Sequence, residues 1–299
     1  MFDACVIGHV VRDLNVIAGV ERPPSPGGAA YYSSMAYRSL GLRTLVVTKV
    51  APADEDLLLA DLRDAGAEVV NLPTPRSSVF RNIDAPDARG RVQKVDAIAD
   101  PLRPGDLPEV AARVWQLGPL INRDLDPALA ARCARAGGLI AIDVQGLTRS
   151  VQDGEVRPHG PDGLPGDLWM IDVLKADEDE ILTFAGEADL DAAVTRVRRA
   201  GVGEVLITKA SRGSTVHGPK GPIRIAAVAP RRKVDPTGCG DTYLAAYLAA
   251  RLESRDLRSC GLLASTAAAL KIERFGPLRT GRAEILARVR ADRWVLGRT

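Results

Sequence analysis

The sequence predicts an α/β protein built on a mostly parallel sheet covered by helices. Apolar runs rich in Val and Ile recur along the chain, and segments with helical periodicity separate them. The 299 residues can bury a sizeable core, as one large domain or as a domain with a small appendage. No Pro/Gly/Ser-rich linker divides the chain, so 1–299 is read as a single domain.

The first apolar run, Ala4-Cys5-Val6-Ile7, reads as a buried strand ending at Gly8. A helix is expected over about 28–40, stopped by Gly41, a favourable residue just past a helix end. Residues 45–48 form the second strand, Asp54 opens a helix that ends near Gly66, and 68–70 follow as a strand. The alternation continues with a strand at 114–117, a helix across 126–136 and a strand at Leu139–Asp143. Further strands are expected at 169–174 and 205–208. Residues 12–20 and 78–96 break this rhythm. They read as short amphipathic strands with turns between them, Asp87-Ala88-Arg89-Gly90 being the clearest turn. Together they suggest a small projecting sheet, a candidate lid formed by about 10–24 and 77–98. A surface hairpin without function is the plainer alternative. The Pro- and Gly-rich stretch 154–167 is read as a surface loop.

Hydrophobic residues make up 46% and charged residues 26%, the balance of an ordinary globular protein. With 40 basic against 38 acidic residues the net charge is +2, which gives no electrostatic case for binding nucleic acid or membranes. Cys5, Cys133, Cys239 and Cys260 form no CxxC pair, and the three histidines do not cluster with them. This argues against a zinc site or a disulfide framework and suits a reducing cytosol. The opening MFDACVIGHVV is apolar only briefly before Arg12 and Asp13, unlike a signal peptide or a membrane span. A cytoplasmic location is expected.

The chemistry concentrates in Asp235-Pro236-Thr237-Gly238-Cys239-Gly240-Asp241-Thr242, where a helix begins with Leu244 and Leu248 on its buried stripe. The amides of Gly238, Cys239 and Gly240 are expected to point unpaired from that helix start. Such a nest attracts phosphate oxygens. Asp241, in the first helical turn beside it, can accept a proton from an incoming hydroxyl. The bland reading is equally open at this point: Asp241 caps the helix and favours its dipole.

Asp235–Asp241 resembles the D-T-x-G-A-G-D motif of the ribokinase-like (PfkB) carbohydrate kinase family, with Pro236 and Cys239 where Thr and Ala are usual. The resemblance runs over about 4–276. It implies a three-layer α/β/α ribokinase-like fold with a mostly parallel central sheet and a small β-sheet lid. It also implies ATP and Mg²⁺ as cofactors, Gly238, Cys239 and Gly240 as an anion hole, and Asp241 as the catalytic base. Pro26-Gly27-Gly28-Ala29-Ala30 resembles the family's double glycine at the lid hinge and substrate pocket, and Asp13 matches an acidic residue that holds substrate hydroxyls. Tyr32 stands where ribose-specific members carry Asn, which speaks against ribose. Asp177-Glu178-Asp179-Glu180 resembles the N-x-x-E motif that organises the water shell of Mg²⁺. Asp177 and Glu180 are carried over, while Glu178 and Asp179 suit an acidic first turn. Thr208-Lys209-Ala210-Ser211-Arg212-Gly213 resembles the nucleotide-binding turn T-x-G-x-x-G, with Ala210 for the first Gly. Thr208, Lys209 and Gly213, with Thr237 and Gly276, are the implied ATP-binding residues.

Asp143-Val144-Gln145-Gly146 closes a sheet strand, where ligands of open α/β folds bind. Gln145 stands where most relatives carry Asn. With Gly27-Gly28-Ala29-Ala30 and Val79-Phe80 it resembles the myo-inositol kinase branch and points to a polyol. The expected function is ATP-dependent phosphorylation of a hydroxyl on a small sugar or polyol. A nucleoside kinase of the same fold is the first rival, with Tyr31 and Tyr32 as candidates to stack a base. A non-catalytic ligand-binding regulator is the second, and retention of Asp241 argues against it. A Rossmann dehydrogenase fails because Gly8-His9-Val10-Val11 is not G-x-G-x-x-G. Oligomeric state stays open, a homodimer through the lid being the form such lids often give.

Overall fold

Side chains that alternate along each strand divide the interior into two cores. The computed structural model describes residues 1–17, 19–84, 91–161 and 163–296. The chain opens with β1 (Phe2–Ile7) and enters a small sheet through β2 (Val11–Ile17), β3 (Val20–Glu21) and β4 (Ser25–Gly27). Then come α1 (Ala29–Ser39), β5 (Thr44–Lys49), α2 (Glu55–Asp64) and β6 (Glu68–Leu72). β7 (Val79–Asp84) and β8 (Arg91–Ala97) return to the small sheet. β9 (Ala112–Leu117), α3 (Leu129–Ala136) and β10 (Leu139–Asp143) precede the hairpin of β11 (Arg149–Gln152) and β12 (Glu155–Pro158). The next segment holds β13 (Val173–Asp177), α4 (Glu178–Ala185), α5 (Leu190–Arg199), β14 (Glu204–Thr208), β15 (Ser214–Gly218) and β16 (Gly221–Ile225). Three helices finish the chain: α6 (Cys239–Leu252), α7 (Leu257–Ile272) and α8 (Arg282–Leu296).

Nine strands form the large sheet in the order β16-β15-β14-β13-β10-β9-β1-β5-β6. β15 and β16 join antiparallel and the others pair parallel. In β1, Ala4 and Val6 turn to a core shared with α1, α2, α6, α7 and α8. Cys5 and Ile7 turn to a second core shared with α3, α4 and α5. Helices on both faces leave the inner strands little contact with water, so they read as nearly unbroken apolar runs, while the edge strands β6 and β16 keep exposed residues. Each buried Val, Leu or Ile contributes about 1.5–3 kcal/mol. No helix among the described residues is long and apolar enough to cross a membrane.

The small sheet runs β11-β12-β8-β7-β2-β3, with β4 on β2. Val11, Phe80 and Val95 pack its base onto Ile121. The register sets Asp13 beside Phe80 and Asn15 beside Asn82, and Asn82 opposite Gln93. One face is therefore apolar at the base and polar farther out.

Three expectations change. The helix across 126–136 begins only at Leu129, because 126–128 form a turn in which the Ala128 N–H donates to Asp126 Oδ1 at 2.9 Å. The strand at 169–174 starts at Val173, where pairing with Ala141 begins, while Trp169 lies in a 3-10 turn and is 65% exposed. The loop at 154–167 contains β12, which pairs with β8 and so belongs to the small sheet. Asp153 (φ 50°) and Gly154 (φ 75°) make the tight turn between β11 and β12, a two-residue Asp-Gly hairpin connection. The turn expected at Asp87–Gly90 lies outside the described residues. Replacing Gly154 by Ala should cost about 1 kcal/mol through its left-handed φ, measured by urea unfolding. Unchanged stability would contradict this turn geometry.

Candidate active site

Parallel pairing sets Asp143 beside Lys175 and Asp177 beside Thr208 at the C-terminal ends of β10, β13 and β14. Neighbours in a ladder share a face, so the Asp143 and Lys175 side chains meet, with Nζ 2.8 Å from Asp143 Oδ2. Nζ also lies 3.8 Å from Glu180 Oε2. Burial alone would lower the Lys175 pKa, but Asp143 and Glu180 outweigh it and hold the ammonium well above its ordinary value. Gln145 donates its N–H to Asp143 Oδ1 at 3.1 Å. Against the effect of burial, Lys175, the Asp177 cap, Arg149 and the Gln145 side chain hold the Glu180 carboxyl below its ordinary value. The Arg149 guanidinium lies 3.6 Å from Glu180 Oε1.

This cation faces the start of α6. Gly238 adopts φ 75°, and a Cβ there would sit 2.2 Å from the Tyr32 ring, so only glycine fits beneath that ring. A Cβ on Gly240 would lie 2.9 Å from Lys175 Nζ, which puts the ammonium against this backbone. The Cys239 N–H, expected to be unpaired, instead closes the turn onto the Pro236 carbonyl at 3.1 Å. Among the described residues the amides of Gly238, Gly240 and Asp241 have no acceptor. Asp241 is half-buried, and its backbone carbonyl accepts the Ser33 hydroxyl at 3.3 Å. Its carboxyl is pushed up to about 7, by burial first and then by Asp143 and Glu180, with Lys175 and Arg149 opposing.

On the side of the small sheet, the Asp13 carboxylate lies against β4. A Cβ on Gly27 would be 2.0 Å from Asp13 Oδ2, and one on Gly28 (φ 88°) would be 2.6 Å from the His9 carbonyl. Burial raises the Tyr32 pKa, and the carboxylates of Asp13, Asp235 and Asp241 raise it further, so this hydroxyl feels acids from both sides. Tyr31 meets it edge-on at 5.2 Å and donates its hydroxyl to Asp61. Tyr31 is 2% and Tyr32 5% exposed, so neither offers an open face to a base.

A polar chain that sequence reasoning missed connects the two sides. Asn82 Nδ2 donates to Asp13 Oδ1 (3.3 Å) and to Asn15 Oδ1 (3.2 Å), and Gln93 Nε2 donates to Asn82 Oδ1 (2.9 Å). Arg149 Nη1 reaches Gln93 Oε1 at 3.5 Å. The alternation of Phe80 with Asn82 carried the signal for Asn82. Nothing local marked Asp143 and Lys175 as a pair.

Asp177 and Glu180 cap α4 reciprocally: the Glu180 N–H donates to Asp177 Oδ1 and the Asp177 N–H to Glu180 Oε2, both at 2.8 Å. This is a capping box, so the pair has a structural task whatever else it does. Among the described residues no three His, Cys, Asp or Glu side chains converge as a metal cage. The residues suit an ion bound mainly through phosphate and water. In the neighbouring turn, the Thr208 hydroxyl donates to the Ala176 carbonyl at 3.3 Å, and Lys209 and Arg212 both pair with Glu178. Ala210 keeps a left-handed φ of 48° without the freedom of glycine. A Cβ on Gly213 would lie 2.2 Å from the Ile225 carbonyl. The Thr237 N–H donates to Asp235 Oδ1 at 2.9 Å. Gly276 lies in an open turn after α7, with no hydrogen bond to the other site residues among those described.

A carboxyl whose folded pKa exceeds its unfolded value destabilises the fold above the folded pKa and not below the unfolded one. Asp241→Asn should therefore raise Tm at pH 8, with the gain shrinking as pH falls toward 5. A lower Tm at pH 8 would show that residue 241 is chiefly a helix cap.

The profile of the pfkB family of carbohydrate kinases matches residues 158–280. The chain is 24% identical over 92% of its length to a cytidine kinase of Thermococcus kodakarensis, covering 98% of that protein. It is 34% identical to a nucleoside kinase of Methanothermobacter thermautotrophicus over 36% of this chain, a match spanning only 34% of the relative. Among solved structures, a pyrophosphate-dependent kinase in the ribokinase family, complexed with a pyrophosphate analog and myo-inositol, superposes with a TM-score of 0.85 at 26% identity. That superposition covers 94% of this chain and 99% of the other. Profile, full-length similarity and superposition agree with the three-layer fold and its smaller sheet: the chain has the ribokinase-like fold, and its residues 158–280 are similar to the pfkB family of carbohydrate kinases.

Proposed function

We propose that the protein transfers the terminal phosphoryl group of Mg-ATP to a hydroxyl of a small sugar or polyol, with Asp241 taking the hydroxyl proton. One observation carries this reading. A half-buried carboxyl pushed up to about 7 stands beside acceptor-less amides and the Lys175 ammonium, and Tyr32, which packs on Gly238, feels the charge of Asp13 as well. The hydroxyl oxygen attacks the γ-phosphorus, the bond to the β-phosphate oxygen breaks, ADP leaves, and the proton passes to Asp241. The amides of Gly238, Gly240 and Asp241 and the Lys175 ammonium stabilise the charge of the transferring group. Thr208, Lys209, Gly213, Thr237 and Gly276 form the ATP side. Magnesium, which neutralises donor-phosphate charge, would be held through water by Asp177 and Glu180. The small sheet acts as a lid that excludes water as a competing acceptor.

The acceptor class rests on Asp13, whose carboxylate accepts, and on Asn82 and Gln93, whose amides both accept and donate, so that several hydroxyls can be met. Gly27, Gly28, Tyr32 and Gln145 complete that side. The superposed structure's myo-inositol supports the polyol reading. A nucleoside acceptor is the second reading, favoured by the full-length similarity to a cytidine kinase. Pyrophosphate is the competing donor, from the same superposed structure.

Turnover should be followed with ATP and with pyrophosphate against myo-inositol, ribose, fructose, cytidine and adenosine. Polyol or sugar turnover with ATP is expected. Cytidine or adenosine turnover alone would replace the acceptor, and silence with every pair would leave a ligand-binding regulator. Asp241→Asn should cut kcat roughly 10²–10⁴-fold with donor binding retained; near-normal kcat refutes the base. The kcat/KM of the wild type should fall about tenfold per pH unit below about 7. Lys175→Met should lower kcat by about 10²-fold with little change in acceptor KM. A loss confined to KM would remove Lys175 from the transfer step.

A further inference from the structure

Lys271, near the end of α7, is among the largest fully buried side chains and is 0% exposed. The transfer step described above does not use it. Its ammonium donates to the Asp235 backbone carbonyl at 2.8 Å and to Asp235 Oδ2 at 3.0 Å. On another side it lies 5.6 Å from the centroid of the Tyr32 ring. Burying an ammonium is costly, and an apolar side chain of similar volume often serves stability as well or better. Stability alone therefore gives weak grounds for a lysine here.

Each group that meets Nζ also supports the glycine turn before α6. Asp235 Oδ1 accepts the Thr237 N–H at 2.9 Å. The Val234 and Asp235 N–H groups donate to the Ile272 carbonyl at 2.9 and 3.2 Å, tying the turn's entry to the end of α7. Tyr32 packs directly on Gly238. A compact cation between a carbonyl, a carboxylate and an aromatic face has the surroundings of a bound monovalent ion, here supplied by the chain itself.

We propose that the Lys271 ammonium is the built-in cation of the phosphoryl-binding turn. It holds Asp235 and Tyr32 against Gly238 and so positions the amides of Gly238, Gly240 and Asp241 without an added monovalent ion. It is a positioning residue and touches no reacting atom. The proposal rests on reading that turn as the phosphoryl site.

The test uses whichever donor and acceptor the wild type turns over. Exchanging potassium for sodium or tetramethylammonium should leave the wild-type rate within about twofold; a wild type that requires potassium overturns the proposal. Lys271→Met, which keeps length and removes charge, should lose about 10–100-fold in kcat with acceptor KM little changed, because small misplacements cost that much. Ammonium or methylammonium should restore a large part of the loss, saturably. A kcat within twofold of wild type, or a loss that no small cation relieves, sinks the proposal. If Lys271→Met does not fold, Asp235→Asn takes its place, since it keeps Oδ1 for Thr237 and removes the charge facing Nζ. A tenfold or greater kcat loss is expected there and an unchanged kcat overturns the proposal. Calorimetry with pyrophosphate separates the two possible failures. Equal binding by wild type and variant sinks the positioning role, whereas a wild type that neither binds nor transfers sinks the reading of the turn itself.

Discussion

The site depends on one ion pair. Lys175 and Asp143 are neighbours across two parallel strands, buried at 4% and 3% exposure. An ammonium in that position is costly to desolvate and needs its carboxylates close by. Burial raises the Asp241 pKa first, and those carboxylates, whose field it shares, raise it further. The geometry thus gives a cation against the α6 backbone and a carboxyl that can gain and lose a proton near neutrality. Neither property belongs to one residue alone.

The arrangement follows from a general feature of doubly covered parallel sheets. Strand ends point the same way, and helices begin just beyond them, so polar side chains and unpaired amides gather at one edge. Glycine is needed where another group must come very close. At Gly238 the close group is the Tyr32 ring, and at Gly27 it is the Asp13 carboxylate. The polar chain Asp13–Asn82–Gln93–Arg149–Glu180 then links the small sheet to the strand ends. A change in the small sheet's position would therefore be felt at Glu180.

Much of this was legible in the sequence where the signal was local. The glycine turn, the double glycine and the acidic helix start occupy a few consecutive residues each, and the apolar runs located most strands. What failed to show was relational. Asp143 and Lys175 lie 32 positions apart, and only the strand register makes them a pair. Cys239 looked like a third free amide, but a turn closed on Pro236 uses it. The Asp-Gly pair at 153–154 was a local hairpin signal that the surrounding Pro and Gly obscured, so a strand of the small sheet was read as loop. Tyr31 and Tyr32 looked available for stacking because what they meet lies far away in the chain: Asp61 of α2 for Tyr31 and Gly238 at the start of α6 for Tyr32.

If the start of α6 holds the phosphoryl group in flight, a crystal structure with Mg-ADP, a fluoroaluminate and the acceptor that turns over will show it there. The fluoroaluminate is expected within hydrogen-bond distance of the Gly238, Gly240 and Asp241 amides and of Lys175 Nζ, with the acceptor hydroxyl on Asp241. A fluoroaluminate bound elsewhere, with Asp241 turned away from the acceptor, would contradict it.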